Sequence, residues 1–296
     1  MAGITAKQVK ELRDLTGAGM MDCKKALEAT NGDVKEAVTW LREQGIASAQ
    51  KKSGRIAAEG LSNIFIDGNK AVVLELNSET DFVALNEQFL GLLDTVGNAI
   101  LNSEATTNEV ALALPVGDDT VEDLVVNATA TIGENITFRR FEILNKEDSQ
   151  VFGSYKHNNG TISAVVILEG GDDALAKDMA MQVASMNPTY VSIADVPEEI
   201  VANETKIQTE IVNNDPELSQ RPEKVIENII KGRVSKTLQD VSLNDQIFFK
   251  DGSSKVSEVL KNAQANVVDF VRYEVGEGLE KREEDFAEEV AKASQV

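Results

Sequence analysis

The residues of this 296-residue chain that could support bond chemistry are one histidine, one cysteine and two glycine-rich runs. Gly17-Ala-Gly19-Met-Met-Asp-Cys-Lys24-Lys25 glances at a phosphate loop, but Gly-Lys-Ser/Thr is absent and a helical pattern precedes it where a strand is required. Gly276-Glu-Gly278 has Lys281 where the third glycine of a dinucleotide fingerprint belongs. His157 could serve as a general base, yet no nucleophile accompanies it in its hairpin-like surroundings. A hydrolase or transferase reading therefore needs His157 in a deep pocket with Asp172, Asp173 or another carboxylate. Cys23 stands among helix-forming residues and reads as a small buried hydrophobe rather than a nucleophile. A single cysteine with a single histidine cannot build a Cys/His zinc site or an internal disulfide, so neither metal nor cofactor is expected.

The most telling stretch offers recognition chemistry instead. Ala71-Val-Val-Leu-Glu-Leu76 reads as a buried strand, Ser78-Glu79-Thr80-Asp81 as an acidic turn, and the residues to Phe89 as the start of an amphipathic helix. The turn holds Phe82 just ahead of that helix. A phenylalanine there is ordinarily a hydrophobic staple, and Asp81 an N-cap that accepts a backbone N–H. Both could equally meet a partner.

The elements that must position these residues fall into zones. Residues 1–54 read as a helical bundle with a linker. Thr5 and Gln8 make a capping box before Val9, Leu12 and Leu15, Gly17 and Gly19 break the first helix, and Asp33 with Glu36 opens a third helix that reaches Gly45. Met20 and Met21 would ordinarily fill core gaps, but neighbours on a helix diverge by about 100°, so at least one faces outward. Ala49 to Arg55 is polar, basic and glycine-containing, the pattern of a flexible linker.

Two related β-turn-α units follow. Ala71-Val-Val-Leu-Glu-Leu76 is echoed by Ala164-Val-Val-Ile-Leu-Glu169, each leading through an acidic turn into a helix, but only the first turn presents an aromatic. Phe138 to Asn145 alternates as a strand of the first sheet, Ser154 to Thr161 opens the second unit as a hairpin, and Gln246 to Phe249 and Val267 to Val275 read as strands completing the second sheet. The fold class is α+β, with subdomains at 55–145 and at 146–190 joined by 241–276. Residues 191–240 carry two helices broken by Asp215-Pro216 and Arg221-Pro222, an arm suited to dimerisation or to packing on the core, and 277–296 a charged terminal helix around Phe286.

With 50 acidic against 29 basic residues the net charge is -21, the wrong sign for neutralising phosphates, so no direct nucleic-acid binding is expected. The first residues lack an apolar leader core, and no run approaches the ~18 apolar residues of a membrane span, so a reducing cytoplasm is expected and no membrane contact.

In three separated places, and in the same order, the chain resembles the bacterial elongation factor Ts family. These are Thr16-Gly-Ala-Gly-Met-Met-Asp-Cys-Lys-Lys-Ala-Leu27, the order strand, Thr80-Asp81-Phe82-Val83, helix, and Val271-Arg-Tyr-Glu-Val-Gly-Glu-Gly-Leu279. The resemblance covers the whole chain. It implies a UBA-like (ubiquitin-associated-like) bundle and a guanine-nucleotide exchange factor for elongation factor Tu, not an enzyme. Such a factor binds the GDP form and dislodges the Mg²⁺ beside the nucleotide. It further implies that Thr80, Asp81, Phe82 and Val83 form the dislocating segment, and that Arg13, Met20, Met21 and Lys24 touch the partner's nucleotide-binding domain. His157 would make a core-domain contact, and the helix near Phe286 would grip the nucleotide-binding domain. A homodimer or a 2:2 complex is implied by relatives, although the helical arm diverges most. Leu85 stands where the family commonly carries a basic residue, so a charge contact is not carried over there. The alternative is a ubiquitin-associated-like bundle fused to an unrelated α+β scaffold, a general interaction protein.

Overall fold

The computed structural model describes residues 4–280, so the expected terminal helix and Phe286 lie outside the described residues. Three helices lead: α1 (Ala6–Thr16), α2 (Met20–Ala29) and α3 (Val34–Lys52). The capping box of Thr5 and Gln8 opens α1, and Gly17 closes it at φ 69°, a conformation that costs other residues energy. Val9, Leu12, Cys23, Ala26, Leu27 and Ala37 bury the shared face of the three helices.

Then come β1 (Glu59–Asp67), β2 (Lys70–Ser78), the single turn α4 (Asp81–Ala84), α5 (Glu87–Leu101) and α6 (Asn108–Leu112). A small ladder of β3 (Pro115–Val116) with β4 (Asp119–Thr120) leads into α7 (Val121–Ile132) and β5 (Thr137–Asn145). The second half runs β6 (Gln150–His157), β7 (Ile162–Glu169), α8 (Asp173–Met186), α9 (Glu198–Asn214), α10 (Glu223–Asp240), α11 (Val256–Asn262) and β8 (Asn266–Glu274).

The two main sheets repeat one antiparallel plan, β1-β2-β5 and β6-β7-β8. In each, a hairpin is followed by a helix, and the last strand pairs with the second strand of the hairpin. Side-chain alternation along the central strands explains why both read as continuous apolar runs. Val72, Leu74 and Leu76 face α5 and its neighbours, and Val166 and Leu168 face α8. Ala71, Val73, Val165 and Ile167 point the other way and pack sheet against sheet, together with Val271 and Tyr273. The layers are therefore helix, sheet, sheet, helix. Ser62 Oγ crosses the seam to Ser163 Oγ and to the carbonyl of Gly160, both at 2.8 Å. A side chain at Gly160 would run into the Ser62 carbonyl, which explains the glycine at φ 119°.

Two expectations need correction. The stretch from Ala49 to Arg55 is not a flexible linker, because α3 passes through Gly45 and ends only at Lys52. Gly45 is a packing glycine: a Cβ there would lie 3.2 Å from the Ala130 Cβ on α7. Lys52 Nζ donates to the Thr129 carbonyl at 3.2 Å, and Arg42 pairs with Asp123 at 2.7 Å and Asp119 at 3.3 Å, so the bundle is docked on α7. The Arg42 contact is the first cause holding the Asp123 carboxyl below the ordinary range, with Thr120 adding to it.

The second correction concerns Gln246 to Phe249, which forms no strand of the second sheet. After a 3-10 turn at Leu243–Asp245, one edge of its backbone pairs with the following loop, Phe248 N–H donating to the Ser254 carbonyl at 2.8 Å and Val256 N–H to the Gln246 carbonyl at 3.0 Å. The other edge is met by a side chain: Gln182 Nε2 donates to the Ile247 carbonyl at 3.1 Å and Gln182 Oε1 accepts from Phe249 N–H at 2.9 Å. A buried glutamine thus supplies the pairing on the edge where a neighbouring strand is expected.

Helices α9 and α10 pack against each other as a helical hairpin. Its base is packed around Val196, Val234 and Leu238, while Ile207, Ile211 and Val225 stay exposed farther out.

Candidate functional site

The chain leaves β2 at Ser78 and enters α4 through Glu79 and Thr80. Thr80 is the N-cap residue, yet its side chain caps nothing. Its hydroxyl donates instead to Glu134 Oε1 at 2.7 Å, and the N–H groups of Glu79 and Thr80 both donate to Glu134 Oε2 at 3.0 Å. The clasp is reciprocal, for Glu79 Oε1 accepts from Asn135 N–H at 2.7 Å and from Arg55 Nη1 at 3.3 Å. Ser78 Oγ adds a bond to the Thr80 carbonyl at 2.9 Å.

From this clasp α4 turns Ala84 into the core and packs Val83 at its edge, while Phe82 stands 82% exposed. The staple reading of Phe82 is overturned, and Asp81 lies in the first turn rather than at the N-cap. The cause is the length of α4. It stops at Leu85 after one turn, and Asn86 caps a separate helix, α5, by accepting from Gln88 N–H at 2.8 Å. In the second unit Asp172 caps the long α8 directly, accepting from Leu175 N–H at 2.8 Å, so nothing is raised there. Leu85, 69% exposed and three residues after Phe82, extends the apolar tip.

On the bundle, Met20 and Met21 both face out, at 44% and 64% exposure, which corrects the core-filling reading. The core stripe of α2 begins only at Cys23, so its first turn projects past the bundle core. Arg13 and Lys24 are also exposed, and Lys24 forms a surface pair with Glu28 at 3.7 Å. The Gly17 turn between α1 and α2 lies beside the Gln88 side chain at the start of α5, which brings the bundle tip close to the Phe82 turn.

His157 closes β6 on the surface, its Nδ1 3.2 Å from the Tyr155 hydroxyl. The adjoining Gly160 meets Ser62 on β1, three residues from Glu59, the β-partner of Ser78 where the Phe82 turn begins. The two turns are thus offset by about 10 Å along that strand. Asp172 and Asp173 lie past the far end of the eight-residue β7, roughly 25 Å of strand away, so they do not meet His157. A cleft of ≈ 570 Å³ between the bundle and α7, lined by Leu15, Trp40, Arg42 and Thr131, includes neither His157 nor Cys23. Among the described residues no group of three His, Cys, Asp or Glu side chains could hold a metal ion. The glycines that glanced at nucleotide loops are structural: Gly17 and Gly19 flank a helix-helix turn, and Gly276 packs on the Ala58 carbonyl where a side chain would collide.

Glu134 and Asn135 were not legible as site residues, since a glutamate after a helix-ending glycine carries no motif. The only sequence signal is Gly133, the left-handed C-cap of α7 at φ 93°, which turns the chain toward the clasp.

The structure thus presents an exposed apolar tip, Phe82 with Leu85, on a backbone braced from two sides and set on an α+β scaffold, the kind of feature found at protein-docking surfaces. The model of the family described as Elongation factor TS matches residues 79–277. Over 288 residues and 97% of each chain, this sequence is 51% identical to elongation factor Ts of Acholeplasma laidlawii, 46% to that of Spiroplasma citri and 48% to that of Levilactobacillus brevis. The chain belongs to the elongation factor Ts family, among the proteins of translation elongation.

Proposed function

We propose that this chain is the guanine-nucleotide exchange factor for elongation factor Tu, acting in the cytoplasm on the GDP-bound and nucleotide-free partner and making no covalent bond itself. The observation that carries the reading is the 82% exposure of Phe82 on a clasped turn, set in a chain of this family. A GTPase holds GDP through phosphate contacts and a bridging Mg²⁺, one of the strongest local charges in such a site. The segment Thr80-Asp81-Phe82-Val83 enters the partner beside that ion. Burying Phe82 supplies about 1.5–3 kcal/mol to hold the partner in a conformation in which Mg²⁺ is displaced and GDP is weakly bound. Coupling is reciprocal, so GDP weakens the protein complex by the same factor and incoming GTP ejects the exchange factor.

Arg13, Met20, Met21 and Lys24 supply a second contact on the nucleotide-binding domain, and His157 a third from the core. The acidic surface, with net charge -21, suits a protein partner and not a nucleic acid. The arm of α9 and α10 provides the surface for a homodimer or a 2:2 complex. The test is release of a fluorescent GDP from purified elongation factor Tu with substoichiometric amounts of this protein. Multiple turnovers of accelerated release support the proposal, and release at the spontaneous rate sinks it in favour of a general interaction scaffold.

A further inference from the structure

We propose that Glu134 is the positioning residue for the Phe82 turn, a role that rests on the exchange-factor reading. A helix as short as α4, four residues long, cannot hold its own geometry, because one turn is not stable in isolation. Its N-cap residue does not help, since the Thr80 side chain is turned away from the helix amides. The far end of α4 is anchored by Ala84 in the core, and the orientation of its first turn is therefore imposed from outside. Glu134 imposes it with three accepted bonds, from Glu79 N–H, Thr80 N–H and the Thr80 hydroxyl, all within 3.0 Å. The return bond from Asn135 N–H to Glu79 at 2.7 Å closes the clasp.

The same short connection also reaches the bundle. Asn135 Nδ2 donates to the Arg55 carbonyl at 2.8 Å, and α7, which ends at Gly133, is the helix on which α3 docks through Gly45 and Lys52. One connection, Gly133 to Asn135, thereby links the Phe82 turn to the bundle whose second helix, α2, carries Met20 and Met21. Freed from Glu134, an exposed phenylalanine on a one-turn helix would sample many positions, and ordering it would consume part of the binding energy used to open the partner.

The test combines a readout that needs no partner with one that does. Amide hydrogen exchange is followed at Glu79 and Thr80, and fluorescent-GDP release from elongation factor Tu is titrated with wild type, Glu134→Ala, Glu134→Gln, Phe82→Ala and the Glu134→Ala/Phe82→Ala double variant. The proposal expects protected amides in wild type and fast exchange in Glu134→Ala. It expects a maximal release rate about tenfold lower in Glu134→Ala with a smaller change in the half-saturating concentration. Glu134→Gln, which keeps an oxygen for the two amides while the Thr80 hydroxyl turns to accept, retains most of the rate. The double variant is no slower than Phe82→Ala alone, the signature of two residues acting as a unit. Unprotected amides in wild type, wild-type release rates in Glu134→Ala, or losses that simply add would each overturn the proposal. Failure of wild type itself to accelerate release would bring down the exchange-factor reading, and with it the role of the clasp.

Discussion

Glu75 Oε2 lies 2.6 Å from Arg140 Nε in the seam between the two sheets, with Glu75 fully buried. Arg139 Nη1 and the Gly276 N–H reach Glu75 Oε1 at 2.9 Å each, and the Arg140 guanidinium lies over the Tyr273 ring at 4.1 Å. This cluster ties β2 and β5 to the end of β8. Burial alone pushes the Glu75 carboxyl up, but the Gly276 N–H and the two guanidiniums outweigh it and hold the group below the ordinary glutamate range.

That depression gives a pH dependence of definite sign. The folded-state pKa lies below the unfolded value of about 4.3, so the stabilisation is complete above that pH and is lost as pH falls through the folded value. Glu75→Gln is expected to lower unfolding free energy by about 3 kcal/mol at neutral pH, because two arginines lose their buried counter-charge. It should also flatten part of the acid limb of the stability profile. Chemical denaturation at pH 7 and through the acid range checks both, and an unchanged acid limb in the variant would count against the assignment.

The helix-to-sheet packing of the first unit makes a second prediction. Gly97 on α5 is buried, and a Cβ there would fall within the Phe65 ring. Gly97→Ala gains about 1 kcal/mol of helix propensity yet should destabilise the protein by about 1–3 kcal/mol through overpacking. Phe65→Leu in the same chain should recover part of the loss. Thermal unfolding of the three variants decides it.

The exposed bundle tip makes a third. Met20→Ala with Met21→Ala should change stability by no more than about 0.5 kcal/mol, since both side chains face solvent. Affinity for nucleotide-free elongation factor Tu should fall about tenfold, because two apolar side chains no longer bury against the partner. Titration by fluorescence anisotropy reads it, and an unchanged affinity would remove the methionines from the interface.

Much of this was legible because local pattern and final environment agreed. The echo of Ala71–Leu76 in Ala164–Glu169 marks the two central strands, and capping residues such as Thr5 and Asp33 sit where helices begin. Gly45 misled because a mid-helix glycine reads as a stop, and its reason, Ala130, is distant in sequence. Ile247 to Phe249 misled because a stretch with strand composition pairs only with the loop at Ser254 on one edge and with the side chain of Gln182 on the other. Phe82 is visible from composition, but its exposure depends on the break at Leu85 and on Glu134, which lies beyond a complete helix.

Release of a fluorescent GDP from elongation factor Tu, compared between wild type and Phe82→Ala at saturating concentration, reads whether Phe82 drives exchange. Phe82 is exposed, so the variant should unfold as wild type does. Removing about 1.5–3 kcal/mol of apolar burial predicts a release rate roughly 10- to 100-fold lower. Equal acceleration by both proteins would move the decisive contact away from the clasped turn.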